Sequence, residues 1–230
     1  KADYIFTMTE ATKKNILDNI NYKNKILKVD NPIINRNIRK LSHKSIESND
    51  KEMFKGITFC SVGRLTRQKN FLEILKAVNI VPREYHLKFR VIIIGDGEDF
   101  NKLLDYSKKN NLQNIFLIGF KTNPYKYIKN SNYFISSSLW EEPGHAILEA
   151  GYLNKLIISS DCPNGPKEFL KDNLNSIKYH SGDYRRLAEI IQSILRGDIK
   201  NEFTLKLNMK KMIKNYTMIK FASKIKSILD

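Results

Sequence analysis

Arg64 and Lys69 stand five residues apart in the segment Gly63-Arg64-Leu65-Thr66-Arg67-Gln68-Lys69-Asn70, directly before a helical pattern. Gly63 permits a tight turn, and both cations can reach an anion held at the helix N-terminus that follows. Each charge-assisted contact contributes about 1.5–3 kcal/mol, so the pair suits a diphosphate. Farther along, Glu141 stands in a loop, and Pro143-Gly144 then starts a second helix whose free N–H groups, around His145 and Ala146, face the same way. Glu149 lies on that helix, about 6 Å along its axis from His145. A carboxylate among Ile147, Leu148 and Ala150 is costly unless hydrogen-bonded. Hydroxyl groups of a sugar are suitable donors. Gly95-Asp96-Gly97 marks another turn, although without G-x-G-x-x-G spacing it reads as an ordinary strand-to-helix turn. Gly119, followed by Phe120 and Lys121, would let a flat ring lie against backbone.

The elements that must position these residues follow a regular alternation from Gly56 onward. Strand candidates are 57–62, 87–94, 114–118, 133–136, 155–159 and 176–179, separated by helical patterns near 70–80, 98–110, 124–130, 145–153, 165–171 and 183–196. Val91-Ile92-Ile93-Ile94 is continuously apolar, as in strands buried on both faces of a parallel sheet. The pattern predicts an α/β fold, a doubly wound, Rossmann-like parallel sheet of about six strands. In such a sheet ligands bind beyond the carboxyl ends of the strands, where the residues above fall. Residues 1–34 predict a strand from Ala2 to Met8, a helix with Thr9 as N-cap and a strand at 25–29. The polar stretch 35–55 reads as a linker, 56–200 as the main domain, and 201–230 as a Lys-rich helical tail.

Composition narrows the classes further. Of the 230 residues 41% are hydrophobic, enough for one full domain plus part of a second. No stretch approaches the ~20 apolar residues that span a bilayer, and no signal peptide is evident. The chain opens Lys1-Ala2-Asp3 rather than with Met, as expected of a piece of a longer protein. Cys60 and Cys162 are far apart and lack C-x-x-C spacing, which points to a reducing compartment, one core thiol and one loop thiol. The net charge of +16 would attract polyanions. However, residues 134–170 place five carboxylates against Lys155 and Lys167, which is unsuited to a nucleic-acid groove.

Taken together, the Glu141-to-Glu149 segment, Gly63-Arg64-Leu65 with Lys69, Gly95-Asp96-Gly97 and the Gly182-Asp183 turn resemble the C-terminal domain of family 4 retaining glycosyltransferases. These are GT-B enzymes with two Rossmann-like domains. The resemblance covers essentially the whole chain, with residues 1–34 similar to the end of the N-terminal domain and Asn31-Pro32 to the interdomain crossing. Two segments depart from the usual pattern: Glu141-Glu142-Pro143-Gly144 stands for E-G-F-G, and Asp161 to Glu168 replaces a Gly-Gly turn. Both variants resemble bacterial enzymes that build surface polysaccharides and glycoprotein glycans.

The resemblance implies a nucleotide-diphospho-sugar donor, UDP-linked by expectation, and no metal or other cofactor. Arg64 and Lys69 would neutralise the diphosphate, and Glu141 would accept from hydroxyls of the transferred sugar. Glu149 would accept from the ribose, and Gly119–Lys121 would meet the base. Gly63, Gly95, Phe120, Pro143, Gly144, His145 and Ala146 would line the donor. A glycan or lipid-linked acceptor would bind the other domain, and the protein would be cytoplasmic.

A non-catalytic nucleotide-sugar-binding module, needing a separate acceptor domain, is the alternative reading. In similar enzymes the last helix packs back on the N-terminal domain, so Met209, Met212, Ile213, Ile219 and Phe221 would bury there. A rival role for the tail is peripheral contact with an anionic membrane.

Overall fold

The computed structural model describes residues 3–21 and 25–229. The expected start of the first strand at Ala2 lies outside them. In chain order the elements are β1 (Ile5–Thr7), α1 (Glu10–Asn19), β2 (Ile26–Lys28), α2 (Arg36–Ser42), β3 (Ile57–Val62), α3 (Phe71–Ile80), β4 (Phe89–Ile94), α4 (Phe100–Lys109), β5 (Ile115–Leu117), α5 (Tyr125–Asn130), β6 (Tyr133–Ser136), α6 (His145–Tyr152), β7 (Leu156–Ser160), α7 (Gly165–Phe169), β8 (Ile177–Tyr179), α8 (Tyr184–Arg196), α9 (Glu202–Ile213) and α10 (Met218–Leu229). Short 3₁₀ helices occupy Ser48–Phe54, Arg83–Tyr85 and Lys214–Tyr216.

β3 to β8 form one six-stranded sheet in the order β5-β4-β3-β6-β7-β8, with every pair parallel. The chain winds outward from β3 on one side, then returns to place β6 on β3's other edge. The order therefore reverses between β3 and β6, and their carboxyl ends open the crevice used by ligands in this architecture.

The continuous apolar runs are explained by burial on two faces. In β4, Val91 and Ile93 pack with α3, α4 and α8, while Ile92 and Ile94 point the other way, to α5 and α6. Successive strand residues face opposite sides, so a strand covered twice must be apolar throughout. α8 shows how local sequence sets the helix limits. The Asp183 side chain accepts from the Arg186 N–H at one end, and Gly197, at φ 78°, closes the other in the left-handed region.

Residues 35–55 differ from the expected linker. α2 buries Ile38 and Ser42, and the following 3₁₀ helix buries Met53. Both segments belong to the core on the α5–α6 face, which covers that side of the sheet. Glu47 pairs with Lys126, and Asp50 accepts from the Tyr127 hydroxyl at 2.6 Å. Cys60 lies in β3 and Cys162 in the loop after β7, and both thiols are free and buried.

The tail also differs in part. Met209 and Ile213 are buried against Gly151 at the end of α6, inside the main domain rather than on residues 1–34. Ile219 is 81% exposed. The tail reaches the first unit at two places: the Ile34 N–H donates to the Tyr216 carbonyl at 3.0 Å, and in α10 Phe221 borders a cavity with Glu10 and Val29 while the Tyr4 hydroxyl donates to the Ile228 carbonyl at 3.3 Å. β1 and β2 pair in parallel, and Thr9 caps α1 as expected, accepting from the Thr12 N–H. Ile34 joins the apolar core on the α5–α6 face, and the first unit also meets the main domain through polar contacts. The Thr12 hydroxyl donates to Glu142 (2.9 Å), and the Ala11 N–H donates to Glu168, which also pairs with Lys28 at 3.2 Å.

Candidate functional site

The site begins where β3 ends. Gly63 has no side chain, and the Lys69 methylenes fill that space, 3.2 Å from where a Cβ would stand. The turn is pinned by the Leu65 N–H to the Asp96 carbonyl (2.9 Å) and by the Leu139 N–H to the Gln68 carbonyl (2.8 Å), which ties it to the loop after β6. The tie places the Lys69 ammonium against Glu141, which is 6% exposed and also accepts from the Ser138 hydroxyl at 2.7 Å. The two charges come from loops 72 residues apart in sequence and meet at the switch point of the sheet.

α6 starts beside this pair. Gly144 caps it in the left-handed region (φ 94°), and among the described residues the His145 and Ala146 N–H groups have no acceptor. Ala146 and Ile147 line, with Lys69 and Glu141, a cavity of only about 10 Å³, too small to hold a ligand, so a donor would lie outside it at the carboxyl ends of the strands. Pro143 is buried, and its carbonyl stands where a Cβ on Gly165 would clash, at 2.1 Å. The close contact fixes the α6 entrance against α7. His145 is exposed, and partial desolvation lowers its pKa, with Lys69 adding to the effect and Glu141 opposing it.

Glu149 lies one turn further into α6 and accepts from the Tyr125 hydroxyl at 3.0 Å. Burial raises its pKa, an effect the Tyr125 hydrogen bond opposes. Tyr125 was not legible as a partner, because no sequence spacing links the start of α5 to the middle of α6.

The other candidates fall into two groups. Arg64 is exposed, and its side chain has no hydrogen-bond or ion-pair partner among the described residues, which leaves its guanidinium free toward solvent. Gly119, at φ 69°, has nothing within 4 Å of its missing Cβ, and Phe120 beside it is 72% exposed. Gly95 acts instead on packing. A Cβ there would stand 1.8 Å from the Gly63 carbonyl, and φ is 148°, so its bare backbone lets the β3 and β4 loops approach. Gly95→Ala should lower unfolding free energy by about 2 kcal/mol through overpacking. Urea titration would show it as a reduced midpoint at unchanged slope, and an unaltered midpoint would contradict this role.

A buried carboxylate that sequence reasoning missed lies just below the crevice. Glu73, in the first turn of α3, is 3% exposed. It accepts from the Asn70 amide at 2.5 Å and from the Gly182 N–H at 3.2 Å, bracing the turn after β8. Burial pushes its pKa up to about 7. Its only sequence signal is the Asn70-x-x-Glu73 spacing of a helix start.

Comparison with known proteins settles the family. The profile of the glycosyl transferases group 1 family matches residues 43–217, which includes every strand of the large sheet. The chain belongs to that family. This group 1 chain is 38% identical over 177 residues to an uncharacterized glycosyltransferase of Methanocaldococcus jannaschii, covering 76% of the chain and 43% of the relative. It is 28% identical over 206 residues to the lipopolysaccharide 1,6-galactosyltransferase of Salmonella typhimurium, covering 86% and 54%. The chain thus spans about half the length of these curated relatives. Among solved structures, Anabaena HepE in complex with UDP and glucose superposes with a TM-score of 0.81 at 16% identity, over 99% of this chain and 63% of that one. The likeness is one of fold, and it bears out the doubly wound GT-B-type architecture.

Proposed function

We propose that this chain is the donor-binding half of a retaining, family 4-type glycosyltransferase that uses a UDP-sugar in surface polysaccharide or glycan synthesis. The observation that carries this reading is the meeting of Lys69 and Glu141 at the β3–β6 switch point, beside the unpaired N–H groups of α6. Cations and helix N–H groups there would stabilise the charge that develops on a departing diphosphate. Arg64 would supply the second cation from the rim. Glu141 would take sugar hydroxyls while Lys69 holds it in place, and Glu149, with one oxygen on Tyr125, would present the other to the ribose. Two relatives support the reading: the Salmonella protein is named for galactosyl transfer to lipopolysaccharide, and the Anabaena structure holds UDP and glucose.

The acceptor, a glycan or lipid-linked sugar, would be bound by a partner domain, and the protein would work on the cytoplasmic side. No helix among the described residues is long and apolar enough to cross a membrane. Calorimetry against UDP, GDP and ADP tests the donor assignment, with UDP expected to bind tightest. Residues 1–230 alone should bind UDP without transferring sugar, because positioning of donor and acceptor between two domains supplies much of the rate. Sugar transfer to a lipid-linked acceptor by this chain alone would contradict the divided arrangement.

A further inference from the structure

On the α5–α6 side of the sheet, where several helices end, the protein has a cavity of about 420 Å³ with an unusual charge balance. Arg39, Lys129, Lys210 and Lys214 line it, with His43 beside them, and its lining contains no Asp or Glu. None of the four permanent cations forms an ion pair among the described residues, although the chain pairs other lysines readily (Lys28, Lys69, Lys126, Lys206). The cavity bordered by Lys28, Lys171 and Lys211 provides the contrast: it also contains Asp30 and Glu168, and Lys28 lies 3.6 and 3.2 Å from them.

Cations near helix C-termini often serve the exposed carbonyls of the last turn. Here those carbonyls already have donors. Lys155, from β7's threshold, donates to the Lys129 carbonyl at 2.7 Å and to Ser131 at the end of α5. The Ser42 hydroxyl (2.9 Å) and the His43 Nδ1–H (2.7 Å) both donate to the Arg39 carbonyl, and Asn123 donates to Leu41 at the end of α2. The Thr217 hydroxyl donates to Lys214. The Ser42 and Thr217 hydroxyls are therefore engaged with backbone, while the Tyr152 hydroxyl and the cationic heads have no such partner among the described residues. Recognition there runs chiefly through charge, with the Tyr152 hydroxyl available beside the cations. The floor is apolar (Ile34, Leu153, Ile213), and it lies at the far end of α6, about 12 Å along the helix from the crevice at 1.5 Å per residue over its 8 residues.

We infer that this cavity is a second anion site, separate from the donor crevice, that binds a multiply charged phosphate group. The phosphate is carried either by a soluble ester or by a lipid headgroup whose apolar part meets the floor. The site joins α2, α5, α6 and α9 to the crossing where Ile34 bridges Thr217, so an occupant also braces that crossing.

The test uses inorganic tripolyphosphate as the probe, by calorimetry at low salt. Three proteins are compared: wild type, the crevice variant Arg64→Ala with Lys69→Ala, and the cavity variant Lys210→Glu with Lys214→Glu. Both lysines are exposed, so the cavity variant should keep its thermal midpoint. Should the midpoint fall, Lys210→Gln with Lys214→Gln repeats the measurement. The crevice variant is expected to retain a tripolyphosphate site, and the cavity variant to bind that site at least tenfold more weakly. Added salt should weaken the retained site by screening. Sedimentation with phosphatidylglycerol vesicles, set against phosphatidylcholine alone, identifies the carrier. Co-sedimentation lost in the cavity variant assigns a lipid headgroup, and tripolyphosphate binding without co-sedimentation assigns a soluble ester. Equal affinity of cavity variant and wild type, or loss of all binding in the crevice variant, overturns the inference.

Discussion

Replacing Arg64 and Lys69 together by alanine is expected to weaken UDP binding by about 3–6 kcal/mol, roughly 10² to 10⁴-fold, from two lost charge-assisted contacts. The single changes should separate two effects. Arg64 is exposed and unpaired among the described residues, so Arg64→Ala should lower affinity and leave stability unchanged. Lys69 also neutralises Glu141, which keeps only the Ser138 hydroxyl once the ammonium is gone. Removing one partner of a buried pair leaves an uncompensated charge. Lys69→Ala should therefore lower the thermal midpoint as well as the affinity, and Lys69→Ala with Glu141→Gln should recover much of the midpoint but not the affinity. Calorimetry and thermal melting on the four proteins check both parts. Unchanged UDP affinity in the double alanine variant would remove the crevice from the donor assignment.

The second large effect concerns pH and Glu73. Its pKa in the fold is about 7 against an ordinary 4.5, so the native state favours the neutral acid. Stability from this group is complete below the unfolded pKa and declines as pH rises from about 4.5 to 7, then stays level. The difference amounts to about 3 kcal/mol at 1.36 kcal/mol per pH unit. Glu73→Gln carries no charge and retains an acceptor for the Gly182 N–H. Relative to wild type, the variant should gain about 2.5 kcal/mol of unfolding free energy between pH 5 and pH 8. Urea titrations at the two pH values measure it, and a wild-type-to-variant difference that is the same at both would show that Glu73 is not held neutral.

The two carboxylates illustrate what the sequence makes legible. Glu141 stands out because its loop follows an apolar strand and precedes Pro143-Gly144, features that local rules interpret directly. Its contact with Lys69 required the strand order, since only the return of β6 to β3's free edge brings the two loops together. Glu73 was illegible for the opposite reason: its burial comes from the Gly182 turn, 109 residues away, while its neighbours look like any first helical turn. The same holds for residues 35–55. Ile38 and Met53 are isolated apolar residues in a polar stretch, and they become core only because α5 and the sheet offer a surface to cover. The strands were visible at nearly their full length because burial on both faces demands uninterrupted apolar side chains. The amide-to-side-chain contacts that turn them into a site are non-local and leave no periodicity.

The strand order also governs how this chain comes off the ribosome. β3 meets β4 early, and β5 then adds to the same side, so a three-stranded half-sheet can assemble before the second half is made. Until then β3's other edge is bare. Its eventual partners lie 74 residues later, where Asn132 accepts from the Thr58 N–H and the Ser61 hydroxyl donates to Ile135. At about 5–20 residues per second, that edge waits several seconds for β6. An unpaired, apolar strand edge is a template for pairing with other chains. A nascent chain arrested before Tyr133 should therefore be the most aggregation-prone length, and chaperone demand during synthesis should fall once β6 has emerged.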